Sequence, residues 1–218
     1  PNARVILFEF VGHGRAAGYL DPEATAAMEN EAVYLSEPEK LASWKKTIKD
    51  IVEEYFVSAD VDELVRAVKE IPPPITFEVI KLMGNTALDR GDAERERANV
   101  GFAALIGGAV SADQMAKGFT ILLSRVEDIY LDVPDVLRLL SRMVARAVSD
   151  EALPPAFLLR LDLHEGDLGF QVAKEAQHLL AQPGAVQFLD NVWGQAREAE
   201  DYCHDLGCYN RLPCPDHD

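Results

Sequence analysis

The sequence predicts an all-α fold built from antiparallel helix hairpins, and three observations support that prediction. Apolar residues recur at three- and four-residue spacing through most of the chain, as on the buried face of an amphipathic helix. Capping residues, proline and glycine interrupt this pattern at short intervals, so the helices are joined by short turns. No useful length of sequence alternates with the period of two that a β-strand needs. The expected architecture is an α-solenoid-like stack with extended terminal arms.

The composition favours a protein partner over a nucleic acid or a membrane. The chain has 218 residues, of which 48% are hydrophobic and 27% charged, as in ordinary globular proteins. No apolar run approaches the ~20 residues that span a bilayer. A net charge of -16 repels phosphate backbones, so direct nucleic-acid binding is not expected and the natural partner is a protein with a basic surface.

The first 43 residues are predicted to form an arm followed by a short helix. An apolar run at residues 5–11 leads into Gly12-x-Gly14-x-x-x-Gly18, which superficially matches a dinucleotide fingerprint. Such a site needs a helix directly after the glycines, inside repeated βαβ units. Asp21-Pro22 interrupts that helix, so nucleotide binding is not expected. The same Asp-Pro pair instead opens an alanine-rich helix to about Tyr34.

Residues 44–181 are predicted to form the central helical domain. A start signal at residues 36–39 opens its first helix, and a capping box formed by Asp60 and Glu63 opens the second. Further turns are predicted at Pro72-Pro-Pro74, Arg90-Gly91-Asp92 and Gly107-Gly108, and a second capping box at Ser111 and Gln114 opens a helix over residues 111–130.

A new helix is predicted to begin at Asp132, because a carboxylate caps free amides and Pro134 is tolerated in a first turn. Its apolar positions predict a buried face of Val136, Leu137, Leu139, Leu140, Met143, Val144 and Val148. A break follows at residues 150–155, then a helix over residues 165–180. Residues 182–218 are expected to hold a last helix to about Cys203 and a cysteine-containing tail.

Two carboxylates four residues apart, Asp128 and Asp132, mark the junction between the helices of residues 111–130 and 132–148. We call residues 128–134 the acidic corner. One interpretation is a helix cap at Asp132 beside a solvated acid; the other is a docking site for a basic partner. Asp128 has no capping role in the predicted structure, which favours docking slightly.

The tail offers the only metal-ligand candidates that the sequence suggests, Cys203, Cys208, Cys214 and His217. Their spacings match no common zinc motif, so reduced thiols are favoured over a disulfide or a zinc site. Because all three cysteines lie in the tail and none can staple the body of the fold, a reducing compartment is also favoured. A cytoplasmic location is therefore expected, and a plastid is the alternative if a targeting peptide precedes Pro1.

No catalytic constellation is evident, so the chain is expected to be neither an enzyme nor a cofactor-binding protein. His164 and His178 lack catalytic partners in the sequence, and there is no His-Glu-x-x-His, nucleophile elbow or P-loop.

The order of the motifs resembles an MA3 domain. It runs from Ile51-Val-Glu-Glu-Tyr-Phe56 through Phe77-Glu-Val-Ile80, Glu94-Arg-Glu-Arg97, Ser111-Ala-Asp-Gln-Met115 and Leu131-Asp-Val-Pro134 to Ala147-Val-Ser-Asp150. MA3 domains are HEAT-like modules of translation repressors and initiation scaffolds. The resemblance implies a protein-interaction module whose partner is the DEAD-box RNA helicase of translation initiation. It implies that Asp128, Asp132, Leu131 and Pro134 form the partner-binding surface.

A second hypothesis is a structural linker that uses an MA3-like scaffold within a larger assembly, such as a photosystem–antenna complex in a plastid. The apolar run at residues 5–11 and the tail favour the linker, because terminal arms can lie over neighbouring subunits. The acidic corner favours the translation regulator.

Overall fold

The computed structural model describes residues 38–193. Nine α-helices and two 3-10 turns (Pro73–Ile75 and Pro155–Leu159) lie within these residues, with no β-strand among them. The helices are α1 (Pro38–Ser58), α2 (Val61–Lys69), α3 (Phe77–Leu88), α4 (Asp92–Leu105), α5 (Ala112–Ser124), α6 (Val126–Tyr130), α7 (Val136–Ser149), α8 (Leu168–Leu180) and α9 (Ala185–Asp190). The all-α, solenoid-like class is confirmed for this part of the chain. The predictions of an N-terminal arm with a short helix, and of a tail with Cys203, Cys208, Cys214 and His217, concern residues outside the described range.

The chain divides into two compact units. Over the described residues, the first unit contains 38–83 and 104–119, and the second contains 84–103 and 120–193. In the first unit α1 packs against α2. In the second unit α7 packs against α6, α8 and α9, which makes it the central helix of that unit.

The predicted turns of the first unit are confirmed by their capping bonds. The Asp60 carboxylate accepts from the Glu63 amide at 2.9 Å and so caps α2. The Ser111 hydroxyl accepts from the Gln114 amide at 3.3 Å at the start of α5. Gln114 does not complete its capping box in the expected way, because its side-chain oxygen accepts from the Phe77 amide at 3.2 Å. That bond caps α3 from a neighbouring helix.

The single helix predicted over residues 111–130 is wrong, because the structure breaks it at Arg125. The backbone there has φ -115° and ψ 15°, which is not helical, and α6 begins at Val126. Val126 and Leu123 are nonetheless fully buried, and Leu122 is nearly so. The apolar spacing therefore continues across the break, which is why periodicity alone does not reveal it.

The helix start predicted at Asp132 is also wrong, because α7 begins at Val136 with Asp135 in the N-cap position. The amides of Asp132 and Val133 both donate to the Ile129 carbonyl, at 3.1 and 2.8 Å, and so finish α6. The Val136 amide then donates to Val133 at 3.0 Å. The Leu-Asp-Val-Pro segment is thus a turn of its own, and Asp132 caps no helix.

Two further boundaries differ from the prediction. The helix expected over residues 165–180 begins at Leu168, after a turn in which the Asp167 amide donates to His164. The last helix, expected to reach about Cys203, ends at Asp190. The Arg146 guanidinium donates hydrogen bonds to the carbonyls of Leu189 and Asp190, both at 2.6 Å. These bonds give the carbonyls at the end of α9 a donor from outside the helix.

The core of α7 follows its predicted face. Six of the seven predicted core residues are buried, and Leu137 is half-buried. Leu140, Met143 and Val144 have no exposed surface. Periodicity predicted this helix well because one side of it faces a core formed with α8 and α9.

A nearly buried arginine joins three segments of the second unit. Besides its bonds to α9, the Arg146 guanidinium donates to the Asp150 carboxylate at 2.7 Å and reaches Glu96 on α4 at 3.5 Å. The side chain is only 10% exposed, and the Asp150 side chain 16%. Two carboxylates and two carbonyls therefore compensate the desolvated charge.

The Glu96 carboxyl beside Arg146 predicts a pH dependence of stability. Burial raises the pKa of Glu96 above its ordinary value of 4.5; Arg146 opposes this shift, and Asp150 and Asp190 reinforce it. The folded state therefore holds a proton at a pH where the unfolded chain has lost it. The protonated Glu96 carboxyl is therefore favoured in the folded state, and the stability that it contributes falls as the pH rises above 4.5.

We expect the unfolding free energy of the wild type to decrease, relative to that of Glu96→Gln, from pH 4.5 upwards. Urea titrations of both proteins across this range measure the difference, in which titrating groups remote from Glu96 cancel. Parallel stability curves would contradict the prediction.

Candidate docking site at the acidic corner

The four predicted site residues lie along one surface of the second unit. Asp128 is on α6, and Leu131, Asp132 and Pro134 follow in the turn that leads to α7. All four are exposed, Leu131 to 82% and the Asp128 side chain to 71%. The structure therefore brings them together and directs them to solvent.

The two carboxylates of the corner have different surroundings. Asp128 lies 3.5 Å from the Nε of Arg125, and both side chains are more than half exposed, so the pair is solvated and weak. The Asp132 side chain makes no hydrogen bond or ion pair within residues 38–193. This reverses the sequence interpretation, in which Asp132 had the structural role. Asp132 is the carboxylate that a cation of a partner can approach without displacing another contact.

Asp132 also lies at the edge of a shallow groove of about 560 Å³ in the second unit. The turn of Asp132, Val133 and Pro134 forms one side, and the turn between α3 and α4 forms the other. The groove contains four carboxylates and three guanidinium groups: Asp89, Asp92, Asp132, Asp135, Arg90, Arg95 and Arg138.

Arg95 and Arg138 are paired with carboxylates inside the groove. Arg95 lies 2.5 Å from Asp92, and its Nη2 also donates to the carbonyls of Leu88 and Arg90. Arg138 lies 2.8 Å from Asp135. The bonds of Arg95 hold the turn between α3 and α4 in place, whereas the pair of Arg138 and Asp135 lies at the start of α7. Sequence reasoning missed Asp89, because residues more than forty positions apart show no local sign of meeting, and it also missed Asp135, three residues after Asp132.

An apolar tip accompanies the carboxylates. Leu131 and Tyr130, which is 44% exposed, project beside Asp128 and Asp132. A large exposed leucine contributes nothing to the core, yet it gains about 1.5–3 kcal/mol when a partner buries it. The corner therefore combines two carboxylates with an apolar anchor, a composition suited to a basic surface that carries an apolar pocket.

Two other kinds of site were not found among the described residues. Between residues 38 and 193, no group of three or more His, Cys, Asp or Glu side chains is placed to hold a metal ion. His164 and His178 are exposed; His164 lies near Asp167, and His178 lies near Glu175 and the side-chain amide of Gln182. Among the helices described, none is both long and apolar enough to cross a membrane.

Comparisons with known proteins point to one family. The family model described as "MA3 domain" matches residues 44–154. MA3 domain-containing translation regulatory factor 4 of Arabidopsis thaliana is 35% identical over 162 residues, which cover 71% of this chain and 25% of that protein. Factor 1 of the same plant is 30% identical over 197 residues, covering 89% of this chain and 28% of that protein.

A more distant similarity extends to animals. Programmed cell death protein 4 of Gallus gallus is 28% identical over 192 residues, which cover 84% of this chain and 40% of that protein. The chain thus spans about a quarter of the length of the plant relatives and less than half of the animal one.

Proposed function

The chain belongs to the MA3 domain family, and we propose that it is a protein-interaction module of translation regulation that binds a DEAD-box RNA helicase through its acidic corner. The plant relatives are named as translation regulatory factors, which supports the regulatory role. The helicase is the partner that the family resemblance implies.

One observation carries the assignment to the corner. The Asp132 carboxylate is exposed and makes no hydrogen bond or ion pair with another described side chain, next to a leucine that is 82% exposed. An unpaired carboxylate is stabilised by an approaching Lys or Arg, and the exposed leucine supplies contact area around that pair. The strongly acidic chain, with a net charge of -16, adds a long-range attraction for a basic surface.

The double substitution Asp128→Ala with Asp132→Asn tests this proposal. We expect it to weaken the complex with the helicase by roughly tenfold, or about 1.4 kcal/mol. That is less than the ~2–5 kcal/mol for a fully buried interface charge, because both carboxylates lie at a solvated surface. Titration of the purified chain with the helicase measures the affinity. Affinity of the wild type should also fall as salt is added.

Asp50→Ala with Glu54→Gln is the matched control. Both residues are exposed on α1, and each double variant changes the net charge from -16 to -14. The control should bind as the wild type does, because only the corner charges face the partner. If the wild type has no measurable affinity for the helicase, or both variants lose affinity equally, the proposal is wrong and a structural linker becomes the leading hypothesis.

A further inference from the structure

Glu127 directly precedes the acidic corner but has a different contact from Asp128 and Asp132. Its Oε1 accepts a hydrogen bond at 2.8 Å from the backbone N–H of Leu168, 41 residues later. Leu168 is the first residue of α8, where the amide has no acceptor inside the helix. The Asp167 side chain, in the usual capping position, makes no capping bond and accepts from the His164 amide at 3.1 Å. Glu127 therefore caps α8 from another element.

The second residue of α8, Gly169, packs closely against the end of α5, just before the break at Arg125. Gly169 is buried, and a Cβ atom placed there would lie 2.3 Å from the carbonyl oxygen of Leu123. Only glycine allows that approach. The start of α8 is thus held on two sides of the α5–α6 break, by backbone packing at Leu123 and by a charge-assisted hydrogen bond at Glu127.

Helix α6 depends on such contacts for its orientation. It has five residues, too few for a stable helix without tertiary support. Val126 anchors one side of it in the core, with no exposed surface. The amides of Asp132 and Val133 bond to the carbonyl of Ile129, so the exposed turn is built directly on α6. Any rotation of α6 moves the carboxylates of Asp128 and Asp132 with it.

We propose that Glu127 is a positioning residue of the docking site, which holds α6 against the first turn of α8 and so sets the direction in which Asp128, Leu131 and Asp132 face a partner. Its effect on binding depends on the proposed function. Helix α8 lies beyond residues 44–154, the part matched by the family model. The docking surface therefore relies on a helix outside the matched region.

The hydrogen bond can be removed from either end in the full chain. Glu127→Ala removes the acceptor, whereas Glu127→Gln keeps a carbonyl oxygen in place of Oε1. Leu168→Pro removes the donor, and proline is tolerated at the first position of a helix. The preceding Asp167, with φ -78° and ψ 143°, already has the extended conformation that a following proline requires. Leu168→Ala controls for loss of the leucine side chain.

Amide hydrogen exchange of the free chain is the first measurement. Glu127→Ala and Leu168→Pro should each speed exchange at Asp132 and Val133 by roughly 2- to 30-fold, the range expected when a capping bond is lost. The double variant should exchange no faster than either single one, since both remove the same bond. Glu127→Gln and Leu168→Ala should resemble the wild type. Asp60→Ala, which removes the cap of α2, should leave exchange at the corner unchanged.

Affinity for the helicase is the second measurement. Glu127→Ala and Leu168→Pro should weaken binding, whereas Glu127→Gln and Leu168→Ala should bind as the wild type does. If Glu127→Ala leaves exchange at Asp132 and Val133 unaltered, or if Glu127→Gln behaves as alanine does, the positioning role is overturned whether or not the helicase binds. If exchange changes as expected while the wild type does not bind the helicase, the positioning of the corner stands and the proposed partner is wrong.

Discussion

Replacing Arg146 with alanine is expected to lower the unfolding free energy by ~3–5 kcal/mol, the range for removing one member of a nearly buried ion pair. The substitution leaves the Asp150 carboxylate, which is 16% exposed, without the guanidinium 2.7 Å away. It also leaves the carbonyls of Leu189 and Asp190 without a donor. Urea denaturation followed by circular dichroism gives the free energy.

Arg138→Ala provides the comparison. Its only described ion pair, with Asp135 at 2.8 Å, lies on the surface with side chains 40% and 63% exposed. Such pairs contribute ~0–1 kcal/mol. Equal losses for the two substitutions would mean that Arg146 acts as an ordinary surface charge in solution, contrary to its burial.

Replacing Leu140 with alanine is expected to cost ~2–5 kcal/mol, through lost burial and the cavity left behind. The side chain has no exposed surface and lies on the central helix of the second unit. Leu131→Ala makes the same chemical change at a side chain that is 82% exposed, and should alter stability by less than ~0.5 kcal/mol. A denaturation midpoint that is unchanged in Leu140→Ala would show that α7 is rotated away from the described packing.

Features that depend on neighbouring residues were predictable from the sequence. Asp60 caps α2 as expected, since an acceptor and its amide lie three residues apart. The buried face of α7 follows from spacing alone, because a helix repeats its orientation every 3.6 residues. The prolines at positions 72–74 and the glycines at positions 107 and 108 end helices for similarly local reasons.

Features that depend on distant residues were not predictable. Asp132 has the chemistry of an N-cap, yet the amides that follow it bond to Ile129 or Val133. Nothing near Glu127 in the sequence indicates that it caps a helix 41 residues away. Besides Asp150, four residues away, Arg146 has partners on α4 and α9, and α9 lies beyond the region that the family model matches. In each case the sequence shows the functional group but not the group that it meets.

The contact between Arg95 and Trp193 links the groove to a tryptophan whose fluorescence can be measured. Trp193 is 5% exposed, and the guanidinium carbon of Arg95 lies 5.6 Å from the centre of its indole ring. The same guanidinium forms bonds inside the groove beside Asp132. A cation at this distance interacts electrostatically with the ring, so its displacement changes the surroundings of the indole. The chain has two tryptophans, so a Trp44→Phe background leaves Trp193 as the single fluorophore. We expect its emission to change when a partner that fills the groove displaces the Arg95 guanidinium.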